Sequence, residues 1–161
     1  MDELKYEPLD EKHAGDLQPI WADEDVIYYT NIKKPCSLTE TIDKIIALKS
    51  SDVFVVSNHG GVVGIIGCPC IDRTKSQYGL FYHFGKSSWG RGYATKATEW
   101  MLNYMKAKYA DAVYYADVVV NNAASEKILK NFGFVLISEE DEFEKNGELL
   151  KVRSYCFFQV R

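Results

Sequence analysis

The stretch Trp89-Gly90-Arg91-Gly92-Tyr93-Ala94-Thr95 has the residue types and spacing that point most directly to chemistry. It follows an alternating apolar run, Tyr78 to Phe84, and opens a long helical pattern. Glycines at 90 and 92 let the backbone turn tightly without a Cβ clash. A helix that starts there leaves its first N–H groups unpaired at the positive end of its dipole, which suits a phosphate. The same stretch also reads as a tight strand-to-helix connection with no ligand. Two other phosphate cradles fail. Gly85-Lys86-Ser87 resembles the end of a P-loop, but Leu80 stands where the first glycine is required, and no helix follows directly on Ser87. The dinucleotide fingerprint needs a third glycine that this turn lacks.

A second stretch is Val120-Asn121-Asn122-Ala123-Ala124-Ser125, followed by Leu129 and Gly133-Phe134. Asn122 ends an apolar run and suits a helix cap; an Asn there can equally bond a ligand amide passing the sheet. Ser125, one turn on, reads either as a hydroxyl bonding back to a carbonyl or as a hydroxyl facing a cleft. A third is Glu139 to Glu144, where Glu139, Glu140, Asp141, Glu142 and Glu144 form an acidic run. It reads as a charged strand edge that resists aggregation, or as a rim that attracts a cationic amine. Strand alternation groups Glu140, Glu142 and Glu144 on one face and Glu139 with Asp141 on the other.

These residues must be positioned by a single domain of 161 residues, rich enough in apolar side chains (47%) to be globular. A net charge of −4 argues against a nucleic-acid binder and favours a cationic small partner. No apolar run is long enough for a signal peptide or a membrane span, so a cytoplasmic chain with reduced cysteines is expected. Cys68-Pro69-Cys70 puts two thiols on one strand face by alternation, but no second pair or nearby His completes a metal set.

Periodicity predicts a first strand at Leu4 to Pro8 and a helix at Glu11 to Trp21, kinked or divided by Pro19. An apolar connector follows at Ile27 to Tyr29. Ser37-Leu38-Thr39-Glu40 is a capping box before a second helix buried through Ile42, Ile45 and Ile46. Val53 to Ser57 and Val62 to Ile71 form a hairpin around His59-Gly60-Gly61, and Gln77 to Phe84 is the next strand. The long helix carries Ala94, Ala97, Met101, Tyr104 and Met105 on one stripe. Then come a strand at Val113 to Val120 and a short helix at Asn122 to Asn131 that Gly133 ends. Two final strands close around Asn146-Gly147. The order gives an α/β fold, a mixed sheet with helices on both faces.

Together, Trp89 to Ala97, Asn122-x-x-Ser125 and Gly133-Phe134 resemble the GNAT superfamily of acetyl-CoA-dependent N-acetyltransferases. More narrowly, they resemble the branch containing the ribosomal-protein N-terminal acetyltransferases RimJ and RimL. The superfamily cradle Q/R-x-x-G-x-G/A falls on Trp89, Gly90, Arg91, Gly92, Tyr93 and Ala94; Trp at its first position is usual in this branch. The resemblance covers nearly the whole chain and implies the GNAT fold, a central twisted mixed sheet of about seven strands.

The resemblance also implies that amides from Arg91 to Thr95 hold the pyrophosphate of coenzyme A. It implies that the Gln77 to Phe84 strand splays from the Val113 strand. The pantetheine arm then enters that gap beside His83 and Phe84 and bonds Asn122. Many relatives use a Tyr seven residues after this Asn as general acid; here that position is Leu129. Ser125 matches the branch in which a Ser assists the departing thiolate. Lys96 stands where that branch often has Glu. The implied reaction is direct acetyl transfer to a primary amine, a protein N-terminus or a small molecule, without a metal. His83 and the acidic run offer candidate bases, and Glu140, Glu142 and Glu144 offer an acceptor rim. A non-catalytic acyl-CoA-binding module on the same fold is the competing reading. A monomer and a homodimer are both compatible with the sequence.

Overall fold

The computed structural model describes residues 3–158, without the side chains of residues 140–143. Among the described residues, nine strands form two sheets that share a splayed seam. β1 (Lys5–Pro8), β2 (Val53–Asn58), β3 (Gly61–Gly67) and β6 (Phe81–Phe84) make an antiparallel sheet in the order β1-β2-β3-β6. The second sheet comprises β4 (Cys70–Asp72), β5 (Gln77–Gly79), β7 (Val113–Val119), β8 (Val135–Lys145) and β9 (Glu148–Phe158), ordered β4-β5-β7-β9-β8. The β5–β7 pair is parallel and its neighbours are antiparallel.

Alternation along these strands builds two cores on opposite faces. Phe54, Val56, Ile66, Tyr114, Ala116 and Val118 point to one face. There they pack with Ala97, Met101 and Met105 of α4 (Tyr93–Lys108) and Leu129 of α5 (Ala123–Asn131). Val53, Val55 and Ile65 point to the other, against Leu17, Ile20 and Trp21 of α1 (Ala14–Ala22) and Ile45 of α3 (Leu38–Leu48). Each fully buried aliphatic side chain contributes roughly 1.5–3 kcal/mol. The C-terminal end of α4 is pinned to the start of β2: Lys108 Nζ lies 2.7 Å from Asp52 Oδ1, and Tyr109 donates to Oδ2 at 2.7 Å.

The expected element order holds, with local differences. Pro19 does not end its helix; α1 runs through it, and Gly15, four residues back, whose carbonyl Pro19 cannot satisfy, is exposed. The divide falls earlier, where a 3-10 turn at Glu11–His13 hands over to α1. The connector after α1 is itself one helical turn, α2 (Glu24–Ile27), because Asp23 caps it by accepting from Asp25 N–H at 2.9 Å. The capping box at Ser37 and Glu40 is present, with bonds of 3.1 and 3.0 Å. Of the three isoleucines that follow, Ile46 is 54% exposed rather than buried.

Two long predicted strands are broken. Val62 to Ile71 divides at Cys68-Pro69, so Cys68 is buried while Cys70 is exposed, and the two thiols do not share a face. No cluster of metal-ligating side chains occurs among the described residues. Gln77 to Phe84 divides at Leu80, and that break makes the candidate site.

Candidate active site

β5 follows β7 in parallel as far as Gly79↔Tyr115, and Leu80 N–H still donates to Tyr115 O at 2.8 Å. From Phe81 onward the chain pairs only with β3. Gly85 N–H donates to Val63 O at 2.9 Å, and the register sets His83 opposite Ile65. Alternation in an antiparallel ladder therefore turns the backbone groups of Phe81, His83 and Gly85 toward β3, and those of Tyr82 and Phe84 toward the gap. That gap between β6 and β7 opens into a cleft of about 1520 Å³. Of the residues implicated by the sequence, His83, Phe84, Trp89, Gly90, Gly92, Tyr93, Ala94, Thr95, Asn122 and Ser125 line it. Arg91 is exposed and is not among the lining residues.

At one end of the cleft sits the start of α4. Gly90 and Gly92 hold φ of 79° and 78°, a region that L side chains rarely adopt. Gly92 is the N-cap and supplies no side-chain partner. The first bond of the helix runs from Lys96 N–H to Gly92 O at 3.1 Å, so the N–H groups of Tyr93, Ala94 and Thr95 precede the ladder. Trp89 braces the turn by donating its indole N–H to Phe84 O at 2.9 Å. That bond occupies one of the gap-facing carbonyls. Tyr93 is buried, and its phenol oxygen accepts from Asn58 Nδ2 at 3.1 Å.

At the opposite wall β7 turns into α5 through Asn121, whose φ of 85° is left-handed. Asn122 caps α5: its Oδ1 accepts from Ser125 N–H, although at 3.4 Å the bond is long. Ser125 Oγ accepts from Tyr82 Oη at 2.9 Å, joining the two sides of the gap. Burial raises the Tyr82 phenol pKa, partly offset by this bond, so the group is a protonated donor at neutral pH. Nothing in the sequence pattern singled out Tyr82; it is one of several aromatics in an apolar strand. The next residue, Glu126, is buried and fixes α5 to the sheet. Arg153 Nη1 lies 2.9 Å from both of its oxygens, and Tyr155 donates to Oε1 at 2.6 Å. Burial disfavours the Glu126 carboxylate, but these donors outweigh it and lower its pKa.

His83 points to the other face, where Trp21 donates its indole N–H to Nδ1 at 3.0 Å. Burial, with smaller contributions from the Lys44 and Lys145 charges, pushes the ring pKa down to about 4. The ring is therefore neutral at pH 7 and carries its proton on Nε2, because Nδ1 is accepting. A base needs a free lone pair, and the one on Nδ1 is engaged.

The acidic run does not form a rim on the cleft where its side chains are described. Glu139 pairs with Arg153 at 3.0 Å on the α5 face. Glu144 is exposed and does not line the cleft. The side chains of Glu140 and Glu142 lie outside the described residues. Two irregularities in the β8–β9 register, between Leu136 and Asp141, also upset simple alternation along the run. What the hairpin brings to this side instead is Lys145. It is buried, and its ammonium donates to the carbonyls of Ile27, Thr30 (2.8 Å) and Ile32. Lys33 in turn donates to the Glu144 carbonyl. These bonds hold the segment 28–33, which contributes Tyr29, Thr30, Asn31 and Ile32 to the cleft.

A strand splayed at its midpoint, beside a glycine-turned helix start, is the geometry that the sequence resemblance anticipates. A family model described as an acetyltransferase (GNAT) domain matches residues 3–135. The chain belongs to this GNAT acetyltransferase family. A curated relative, the uncharacterized N-acetyltransferase p20 of Bacillus licheniformis, is 23% identical over 98% of this chain and 94% of its own. Among solved structures, one is the Salmonella typhimurium acetyltransferase that modifies the N-terminal serine of ribosomal protein L7/L12. It superposes with a TM-score of 0.81 at 16% identity, over 98% of this chain and 95% of the other. Spermidine N-acetyltransferase of Vibrio cholerae, in complex with CoA and spermine, gives 0.82 at 18% identity, over 97% and 95%. The fold of this chain is thus the GNAT fold.

Proposed function

We propose that this chain is an acetyl-CoA-dependent N-acetyltransferase acting on a primary amine by direct transfer in a ternary complex. The observation that carries the reading is the β6–β7 gap. It opens between three unladdered N–H groups at the start of α4 and a hydroxyl pair, Tyr82 and Ser125, at its far wall. The residues present fit coenzyme A. The N–H groups of Tyr93, Ala94 and Thr95 suit its pyrophosphate. The gap-facing backbone of Tyr82 and Phe84, together with the Asn122 side chain, suits an amide-bearing arm. Acetyl-CoA supplies, when bound, an activated acetyl group on a thiol leaving group.

The chain's own residues then have distinct tasks. The Phe84 N–H turns into the gap and can donate to an oxygen that gains charge during transfer. Ser125 Oγ donates to a departing thiolate and Tyr82 Oη donates to Ser125, so a proton passed along this pair to the thiolate is replaced at Tyr82 by the one the amine gives up. An alkyl thiol has a pKa of roughly 8.5, so the relay needs to supply only modest assistance. Neutral His83 contributes an Nε2 donor rather than a base. The amine proton leaves through water or by an unassigned route.

The wider assignment follows the same reading: one domain over the chain, in the cytoplasm, as a monomer or homodimer, near the branch that acetylates ribosomal-protein N-termini. The experiment is thiol release from acetyl-CoA with a panel of amines and N-terminal peptides, with mass detection of the product. Acetylated amine is expected. CoA binding without acetylation of any amine favours a non-catalytic acyl-CoA-binding module instead.

A further inference from the structure

The cleft has two ends, and its charges are divided between them. Among the described residues that line it, only Lys44, Asp117 and Lys127 are charged. Lys127 belongs to α5, on the face that also carries α4. Lys44 and Asp117 stand on the opposite face, away from α4 and α5. Lys44 is one turn from Thr41 and Leu48 on the inward stripe of α3 and is partly buried. It makes no hydrogen bond or ion pair with any described residue. Asp117 alternates with the core residues Ala116 and Val118, and its Oδ1 accepts from Ser154 Oγ at 2.7 Å on the neighbouring strand.

Among the described side chains that line or back this end, two cations, Lys44 and Lys145, stand with one lining carboxylate, Asp117. Lys145 is buried behind the same wall with carbonyls, not a carboxylate, around its ammonium. Burial chiefly, with smaller contributions from Lys44 and Lys145, disfavours a charge on the His83 ring. A polyamine would bring two or three further cations beside Lys44 and Lys145, with Asp117 the one carboxylate among the described lining residues. Glu40, one turn back on α3, acts on Lys44 only through space while its carboxylate accepts from Ser37 N–H; a ligand anion would instead give Lys44 a direct ion pair. The chain's net charge of −4 is therefore a poor guide to this end of the cleft.

Resting on the acetyl-transfer reading above, we propose that the acceptor is an amine that also bears a carboxylate-type anion. Lys44 holds the anion, and Asp117 attracts the ammonium before it is deprotonated. A free amino acid and a peptide N-terminus followed by an acidic side chain share this chemistry.

The test uses matched acceptors. Glutamate and short aminoalkanoic acids are compared with their amides, Glu- or Asp-containing N-terminal tetrapeptides with neutral counterparts, and spermidine serves as the cationic control. Each is assayed for acetylation and titrated calorimetrically into the protein saturated with CoA. Wild type is expected to favour the acid over its amide by about tenfold or more in kcat/KM, the scale of one charge-assisted contact. Whether amino acid or tetrapeptide wins identifies the source of the anion. Lys44→Met should erase the preference through KM, leaving kcat and acetyl-CoA affinity in place, and Lys44→Glu should shift it toward spermidine. Equal use of acid and amide by wild type overturns the proposal, as does a preference for spermidine or a Lys44→Met variant with unchanged KM. If no amine is acetylated, the acetyl-transfer reading fails, and the calorimetric comparison still decides the charge preference.

Discussion

Tyr82 Oη lies 2.9 Å from Ser125 Oγ, across the gap that separates β6 from β7. Ser125 alone is a very weak acid, and a half-buried phenol bonded to it gives the hydroxyl a donor on the protein side. Ser125→Ala is expected to lower kcat by about 10- to 1000-fold with little change in acetyl-CoA affinity. Tyr82→Phe should lower kcat in the same direction. The double variant should lose less than the product of the two, because the residues act through one proton path. Multiplicative losses in a chemistry-limited assay would separate the two hydroxyls into independent roles.

The cradle makes a prediction about binding alone. Gly92 holds a left-handed φ at the N-cap of α4, beside the N–H groups that precede the helical ladder. Gly92→Val places a β-branched side chain in a conformation it rarely adopts and in the path of a phosphate. The backbone strain is on the order of 1–3 kcal/mol, too little to unfold a domain with two cores. Acetyl-CoA affinity should fall steeply while circular dichroism stays native. Near-normal affinity by calorimetric titration would remove the pyrophosphate from this turn.

Much of this site was legible from local rules. Glycines at 90 and 92, a capping Asn at 122 and the Asn146-Gly147 turn each impose their backbone geometry without help from distant residues, and all occur as expected. The break at Leu80 is different. A continuous apolar run from Gln77 to Phe84 reads as one strand, and only the competing partners β7 and β3 divide it. Tyr82, Lys145 and the Glu126–Arg153 pair were missed for the same reason. Their partners lie 43, 118 and 27 residues away in sequence, beyond any periodicity. At the acidic run, register irregularities in β8 between Leu136 and Asp141 interrupt the alternation that spacing assumes, and the side chains of Glu140, Asp141 and Glu142 lie outside the described residues.

Lys145 ties the closing hairpin to the segment after α2. Its three carbonyl partners satisfy the ammonium, yet burial still lowers the Lys145 pKa. Lys145→Met removes the donors, leaves three carbonyls to find water, and also relieves a buried charge. The net loss of stability should be about 1–3 kcal/mol, read as a lower urea midpoint with an unchanged slope. Because Tyr29, Thr30 and Asn31 belong to the cleft wall, acceptor KM should rise while acetyl-CoA affinity holds. An acceptor KM equal to that of the wild type would make the anchor purely structural.

His83 gives a prediction with a defined sign. In the folded chain Trp21 donates to Nδ1, and burial with the Lys44 and Lys145 charges holds the pKa down to about 4. In the unfolded chain an imidazole has a pKa of roughly 6.5. Above pH 6.5 both states are neutral and His83 adds no pH dependence. As pH falls from about 6.5 to about 4 the unfolded chain binds a proton that the folded chain refuses, so stability falls. The loss attributable to His83 is roughly 3 kcal/mol by pH 4 and levels off within about one pH unit below it. His83→Gln keeps an acceptor for the Trp21 indole and removes the titration. Its urea-derived stability should therefore decline less than that of wild type between pH 6.5 and pH 4, with the two curves parallel above pH 7. The pH profile of kcat/KM should lack a limb near 6.5 assignable to this ring. A His83 ring resonance titrating near pH 6.5 in the folded protein would contradict both expectations and return His83 to the candidates for general base.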